Sequence, residues 1–448
     1  MGTPLSGYSR SVAAGSSTRK STGKPRPSRR ASERPASDEV RRIVVVGTGD
    51  CGTRAAIGIR EGGWDGELTL VGSETAVPYE RPPLSKSVLT DANPAPTIIA
   101  SDSRLSELEI EWRRGVAAVG LDPRRHRIEL ADGASLPFDR LLIATGARAR
   151  RPAIAGPHLV MSLRTIDDAS LLREQLTPGS RLLVIGGGFI GLEVAASAVQ
   201  RGCDVTVVEF AHRLMSRVVP AKVADIVQQR HLEAGVRIVC GMGVDRIVAR
   251  GDACDVQLSD GSTFTVDVVV AGVGAVPNTE LAATAGLTVS NGIAVDGRLR
   301  TDDASIFAAG DCCSFPHPLY GGQRVRLEAW KNALEHADIA SRNLVGGDEV
   351  CAAVPWFWSD QYDLGIQIAG LHAAAAYEVV RSRDDGYEVR FGFDNTGRIV
   401  SASGVAIGTS IGREISIAEM LIANRATPRP TELANPAINL REFLRVPA

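Results

Sequence analysis

The sequence predicts an α/β fold built on two like strand–turn–helix units, and three observations support it. Two glycine fingerprints of one kind stand about 140 residues apart, Gly47-Thr48-Gly49-Asp50-Cys51-Gly52 and Gly186-Gly187-Gly188-Phe189-Ile190-Gly191. Each follows a short apolar run fit for a buried parallel strand, Ile43 to Val46 and Leu182 to Ile185. Each opens into a helix-like stretch, Thr53 to Arg60 and Leu192 to Gln200. In such a unit the first glycine allows the tight turn and the second lets backbone approach a pyrophosphate. The third lets the helix pack on the strand, and the helix N-terminus faces the negative charge. Two complete units predict two Rossmann-like dinucleotide-binding domains in one polypeptide. For an enzyme the economical pair is a flavin and a nicotinamide, with a hydride passing between them.

The second unit continues into a strand, Val205 to Val208, that ends on Glu209. An acid about 20 residues past the fingerprint hydrogen-bonds the ribose 2′-OH and repels a 2′-phosphate. Glu209 therefore argues for NADH over NADPH, while His212 and Arg213 close by keep a 2′-phosphate open as the alternative. In the first unit the second strand, Leu68 to Val71, runs into Gly72-Ser73-Glu74, so the acid arrives late. Glu74 is the one carboxylate there for a ribose.

Composition agrees. At 448 residues the chain has room for two to four domains, and 44% apolar content suffices for packed cores. No apolar run approaches the roughly 18 residues that span a bilayer. The best, around Val266 to Val276, contains Asp267 and two glycines and reads as a strand. Net charge is −2 but uneven: residues 1–42 carry +7, which leaves −9 for the remainder. That leading segment is rich in Ser, Pro, Gly and Arg without periodicity, so residues 1–40 are expected to be a disordered basic tail. It lacks the apolar stretch of a secretory or twin-arginine signal. Its composition overlaps that of organelle transit peptides, but an untargeted extension or an overlong start is the favoured reading. The seven cysteines form no CxxC and no metal-ligand spacing, which fits a reducing, cytoplasmic setting and no metal.

Further segments resemble one family, the FAD-dependent ferredoxin reductases of oxygenase systems, the type of putidaredoxin reductase and the reductases of aromatic-ring dioxygenases. Tyr79-Glu80-Arg81-Pro82-Pro83-Leu84-Ser85-Lys86 looks like their loop past the flavin ring. Leu142-Ile143-Ala144-Thr145-Gly146-Ala147 and Val273-Gly274-Ala275-Val276-Pro277-Asn278 look like the two crossovers between FAD and NAD domains. Ile306-Phe307-Ala308-Ala309-Gly310-Asp311 looks like the strand whose aspartate binds the ribityl chain. Pro355-Trp356-Phe357-Trp358-Ser359-Asp360-Gln361-Tyr362 looks like the opening of the C-terminal domain.

The resemblance implies roles. Lys86 approaches flavin N5 and pairs with Glu193, and Trp330 lies against the isoalloxazine or nicotinamide. Gly47, Gly49, Asp50, Cys51, Gly52, Ser73, Glu74, Arg81, Ala118, Thr145, Gly146, Arg164 and Asp311 face FAD. Gly186, Gly188, Phe189, Ile190, Gly191, Glu193, Glu209 and Gly274 face NAD. A lysine near N5 also makes chemical sense, since its charge stabilises a reduced anionic ring and a glutamate offsets its desolvation. Two departures stand out: Ser73 replaces the usual ribose-reading acid, and Val405-Ala406-Ile407-Gly408-Thr409-Ser410 replaces an asparagine-containing turn.

Residues 75 to 92 hold no cysteine, where thiol-using relatives carry one or two, so electrons are expected to leave directly from flavin. The expected domains, glutathione-reductase-like, are a discontinuous FAD domain (41–148 and 276–350), an inserted NAD domain (149–275) and an α+β C-terminal domain (351–448). Strands are expected in the last near Tyr377 to Val380, Glu388 to Phe393 and Ile399 to Val405, with a helix near Ile415 to Asn424. The expected function is NADH-dependent reduction of a 2Fe-2S ferredoxin by a monomer or weak homodimer, without nucleic acid or membrane. The alternatives are a reductase for rubredoxin or a small oxidant such as monodehydroascorbate, and a redox-sensitive binding flavoprotein like apoptosis-inducing factor.

Overall fold

Strand Arg42–Val46 lies at the centre of a five-stranded parallel sheet, because its four buried residues Ile43 to Val46 need cover on both faces. Its neighbours are Glu67–Gly72 on one side and Arg140–Ile143 on the other, with Ile110–Arg114 and Ile306–Ala308 at the edges. The edge strand Ile306–Ala308 comes from far along the chain and pairs with Arg140–Ile143. The computed structural model describes residues 40–382, 388–408 and 410–445, and the chain from Val40 onward is one compact unit. The basic segment expected to be disordered lies outside the described residues except for Val40.

Helix Asp50–Glu61 follows the first glycine turn and packs on helix Trp330–Leu344. The close strand–helix approach requires glycine at residue 52, where a Cβ would stand 1.9 Å from the Gly47 carbonyl oxygen. The second unit repeats this: a Cβ on Gly191 would stand 2.1 Å from the Gly186 carbonyl oxygen. Its four-stranded parallel sheet runs in the order Arg237–Cys240, Asp204–Glu209, Arg181–Ile185, Val268–Ala271. Helix Phe189–Gln200 follows the glycine turn.

The apolar run read as one strand around Val266 to Val276 is divided. Thr263–Val266 ends an antiparallel three-stranded sheet, and Val268–Ala271 joins the parallel one. Asp267 makes the break: its carboxylate accepts from the Arg181 backbone N–H at 2.8 Å and from the Arg181 guanidinium at 2.6 Å. Ala275–Pro277 then pairs antiparallel with Ala147–Ala149, so the two connections between the parallel sheets run side by side.

The C-terminal part is a five-stranded antiparallel sheet covered by helix Gly412–Ala423. Three of its strands, Tyr377–Ser382, Glu388–Phe393 and Ile399–Ile407, stand where expected. Two more, Trp356–Gln361 and Leu364–Gly370, form a hairpin that the sequence reading left out. Thr409, within the segment noted as a departure, lies outside the described residues. Among the described residues no helix is long and apolar enough to cross a membrane.

Candidate functional site

Both glycine turns open on one cleft of about 1720 Å³. An ordinary small-molecule pocket holds about 300–1,000 Å³, so the space suits two large ligands. Every residue expected at either cofactor lines this cleft except Gly52 and Gly191. Those two instead hold helix to strand, the packing role of the third glycine. The helices Asp50–Glu61 and Phe189–Gln200 both begin at the cleft, so their unpaired N–H groups and positive dipole ends suit pyrophosphates.

The backbone is bare where a pyrophosphate would pass. A Cβ on Gly49 would meet nothing nearer than the Arg81 Nε at 4.0 Å, and one on Gly188 nothing nearer than the Gly272 carbonyl oxygen at 3.8 Å. Three buried polar atoms at the cleft make no hydrogen bond among the described residues: Asp50 Oδ1, Arg164 Nε and Trp330 Nε1. Leaving such groups unpaired is costly, and together with the bare turns they fit a polar dinucleotide. Burial, and secondarily Glu80, pushes the Asp50 carboxyl up to about 6.

On the first side, Arg164 donates to Asp311 Oδ2 at 2.9 Å. Arg81 donates to the Arg164 carbonyl at 2.6 Å and to Glu74 at 2.5 Å. Tyr79 donates to the other Glu74 oxygen at 2.5 Å. Both Glu74 oxygens are thus engaged by the loop. The loop fixes the Glu74 carboxylate, and Glu74 and Ser73 both line the cleft. Thr145 and Asn278 clasp the two connecting segments by reciprocal hydrogen bonds of 2.7 and 2.8 Å, beside Gly146 and Gly274.

On the second side, Glu209 accepts from the Gly187 N–H at 2.6 Å and the Ala211 N–H at 2.7 Å, which fixes its carboxylate at the cleft. Arg213, left open above as a phosphate ligand, spends its guanidinium on the carbonyls of Leu214, Ser216 and Val219. Neither Arg213 nor His212 lines the cleft; Arg217, which the sequence reading passed over, does. Phe189 packs on Phe357 with ring centroids 4.4 Å apart, and Ile190 is exposed in the cleft.

Lys86 lines the same cleft as both turns. Its Nζ lies 3.5 Å from Glu193 and 3.2 Å from Asp360, and 5.3 Å from the centroid of Trp358. Glu193 is buried and accepts from Ser85 at 2.5 Å and Ser359 at 2.6 Å. Burial pushes its carboxyl up, while Lys86, Ser359 and Ser85 pull it back. Trp330 meets Trp358 edge-on at 5.5 Å. Ser85, Trp358, Ser359 and Asp360 were not singled out from sequence as site residues. The signal lies in two motifs: Ser85 belongs to the Tyr79–Lys86 loop, and Trp358, Ser359 and Asp360 belong to the Pro355–Tyr362 segment that resembles a domain opening.

The matched family models agree with this layout. Residues 41–337 match the family described as pyridine nucleotide-disulphide oxidoreductase, and residues 356–444 match one described as reductase C-terminal. The chain is 40% identical over 407 residues to the ferredoxin–NAD(+) reductase component of the anthranilate 1,2-dioxygenase system of Burkholderia cepacia, covering 90% of this chain and 99% of that one. It is 42% identical over 347 residues to rhodocoxin reductase of Rhodococcus erythropolis, covering 77% and 81%. Among solved structures, the covalent putidaredoxin reductase–putidaredoxin complex aligns with a TM-score of 0.84 at 34% identity, covering 90% of this chain and 97% of that one.

Proposed function

We propose, because this chain belongs to the pyridine nucleotide-disulphide oxidoreductase family, that it is an NADH-dependent reductase passing electrons through FAD to a 2Fe-2S ferredoxin of an oxygenase system. The observation that carries the reading is one cleft joining two dinucleotide turns and lined by the paired Lys86 and Glu193. FAD, when bound, supplies an acceptor for a two-electron hydride and a donor of single electrons.

The chain's own residues position and insulate that chemistry. Gly47, Gly49 and the start of helix Asp50–Glu61 take the flavin-side pyrophosphate; Gly186, Gly188 and the start of Phe189–Gln200 take the nicotinamide-side one. Asp311, held by Arg164, offers its carboxylate to ribityl hydroxyls. Glu209, held by two backbone N–H groups, accepts from a ribose 2′-OH and disfavours a 2′-phosphate. Lys86 brings positive charge to the flavin ring, and Glu193 offsets the cost of burying it. Trp330 and Trp358 close the cleft against water and leave the Trp330 N–H free to donate.

The same reading divides the chain into a discontinuous FAD domain (41–148 and 276–350), an NAD domain (149–275) and a C-terminal domain (351–448). The late strand Ile306–Ala308 in the first parallel sheet supports the discontinuity. A cytoplasmic site belongs to this reading as well, because all seven thiols are free, as a reducing compartment leaves them. The test is NADH-driven reduction of a 2Fe-2S ferredoxin by the purified yellow protein. Flavin bleaching by NADH without onward reduction of any 2Fe-2S ferredoxin tried, but with turnover on rubredoxin or a small oxidant, would overturn the choice of acceptor.

A further inference from the structure

A chain of hydrogen bonds leaves Glu193 from Oε1, the oxygen that also faces Lys86 Nζ at 3.5 Å. Ser359 Oγ lies 2.6 Å from Glu193 Oε1, and Gln361 Nε2 lies 3.1 Å from Ser359 Oγ. Gln361 Oε1 lies 2.8 Å from His231 Nε2, and the Tyr362 hydroxyl lies 3.1 Å from His231 Nδ1. Glu193, Ser359, Gln361 and His231 are each no more than 4% exposed. The chain joins three separate elements: helix Phe189–Gln200, strand Trp356–Gln361 and the last turn of helix Ala221–Glu233.

Its direction is set by the Gln361 amide, whose NH₂ donates to Ser359 and whose carbonyl oxygen can only accept from His231 Nε2. Burial pushes the Tyr362 hydroxyl up to about 12, so it holds a proton to donate. Burial lowers His231, which stays neutral, and its bare Nδ1 accepts from Tyr362. The ring hydrogen then sits on Nε2 and donates to Gln361 Oε1, which turns the amide NH₂ toward Ser359. Ser359 receives that N–H and has only its own hydrogen left, pointed at Glu193 Oε1.

The outer end is braced. Tyr362 sits between the two strands of its hairpin with φ +56°, a left-handed conformation that a bulky side chain adopts rarely and at a cost of about 1 kcal/mol or more. Its neighbour Asp363 accepts from Arg230 at 2.7 Å, and the Arg230 guanidinium lies 4.5 Å from the centre of the Tyr362 ring. A strained turn clamped in this way presents the hydroxyl to His231.

We infer that Ser359, Gln361 and His231 are positioning residues: they hold one hydrogen permanently on Glu193 Oε1 and so keep Glu193 available as the anionic partner of Lys86. The inference rests on the reading of Lys86 and Glu193 at the flavin. The groups facing Glu193 are Lys86, Ser85 and Ser359, with Asp360 opposing its ionisation from the same hairpin. Without the hydrogen from Ser359, burial pushes the Glu193 carboxyl further up, which weakens its pairing with Lys86 relative to the more exposed Asp360. Those facing His231 are Gln361, Tyr362 and Arg230, the last disfavouring its protonation.

The experiment is an infrared pH titration of the FAD-bound full chain, following the protonated-carboxyl band that disappears in Glu193→Gln. Ser359→Ala is expected to raise the pH midpoint of that band by about one to two units, the value of a hydrogen bond to a charged group. Ser359→Thr, which restores the hydroxyl, should return it to the wild-type value. Gln361 makes no hydrogen bond to Glu193 itself and acts on it through Ser359, so Gln361→Leu should shift the midpoint the same way by a smaller amount. An unchanged midpoint in Ser359→Ala overturns the inference; where that variant fails to hold FAD, an unchanged midpoint in Gln361→Leu does so. Because the band reports the carboxyl itself, this outcome is independent of whether a ferredoxin is reduced.

Discussion

Lys86 stands between a buried and an exposed carboxylate, Glu193 and Asp360, and its proposed role at the flavin can be tested directly. Lys86→Met is expected to slow flavin reduction by NADH and to lower the flavin midpoint potential. Stopped-flow reduction at the wild-type rate, with FAD retained, would reject the role. Glu209 makes a second test at this scale. Its proposed place at the ribose predicts a kcat/KM for NADH at least about tenfold above that for NADPH, the cost of like charges brought together at roughly a kcal/mol or more. Glu209→Ala should narrow the ratio, and equal values in the wild type would point to Arg217 as a phosphate ligand. Asp50 adds a pH dependence. Its folded carboxyl is raised to about 6, above the ordinary value of 3.8, so its stabilising proton is present at low pH and lost as pH rises through 6. In FAD-free protein, Asp50→Asn should therefore raise Tm relative to wild type more at pH 7 than at pH 4; a constant difference would mean that Asp50 does not titrate in this range. Glu209 was legible from its spacing and Lys86 from a family likeness. Ser359, Gln361 and His231 were not, because hydrogen bonds between positions 130 or more apart leave no mark on local pattern.

At the scale of elements, the strand–turn–helix units were the most legible part of the chain. Their apolar runs and their glycines state the same geometry twice, and the structure adds only a residue or a few at their ends. The hairpin Trp356–Gln361 and Leu364–Gly370 was missed for a physical reason. It carries three aromatic residues in a row of partly buried positions, followed by glycines at 365 and 370, so it lacks clean alternation between an apolar and a polar face. The division at Asp267 was missed because the break depends on Arg181, a neighbour in space and not in sequence. The close approach at the turns gives an element-scale prediction. Gly52→Ala would place a methyl 1.9 Å from a backbone oxygen, so helix Asp50–Glu61 must shift off its strand. The purified variant should lose FAD and melt several degrees lower; full FAD content with an unchanged Tm would show that the helix is not held where the flavin site needs it.

The whole molecule decides how electrons leave. None of the seven cysteines is paired, and burial raises those nearest the cleft, Cys51 and Cys312, and Cys313 beside them. A protonated, buried thiol is a poor nucleophile and a poor redox relay. Only Cys51 among the seven lines the cleft, and it sits in the first glycine turn, where a pyrophosphate is expected. In the proposed reading the exit therefore runs from the flavin ring itself. Turnover with a 2Fe-2S ferredoxin should survive replacement of all seven cysteines, provided that the variant folds and keeps FAD. It should also fall as salt rises, since docking between charged partners is screened. The −9 carried by residues 43–448 means that any basic docking patch is local, and the salt effect correspondingly modest. The thiol arm is the sharper of the two. If one cysteine substitution abolished ferredoxin reduction while NADH still bleached the flavin, electrons would be leaving through sulfur. Direct exit from the flavin would then be wrong, even with both glycine turns intact.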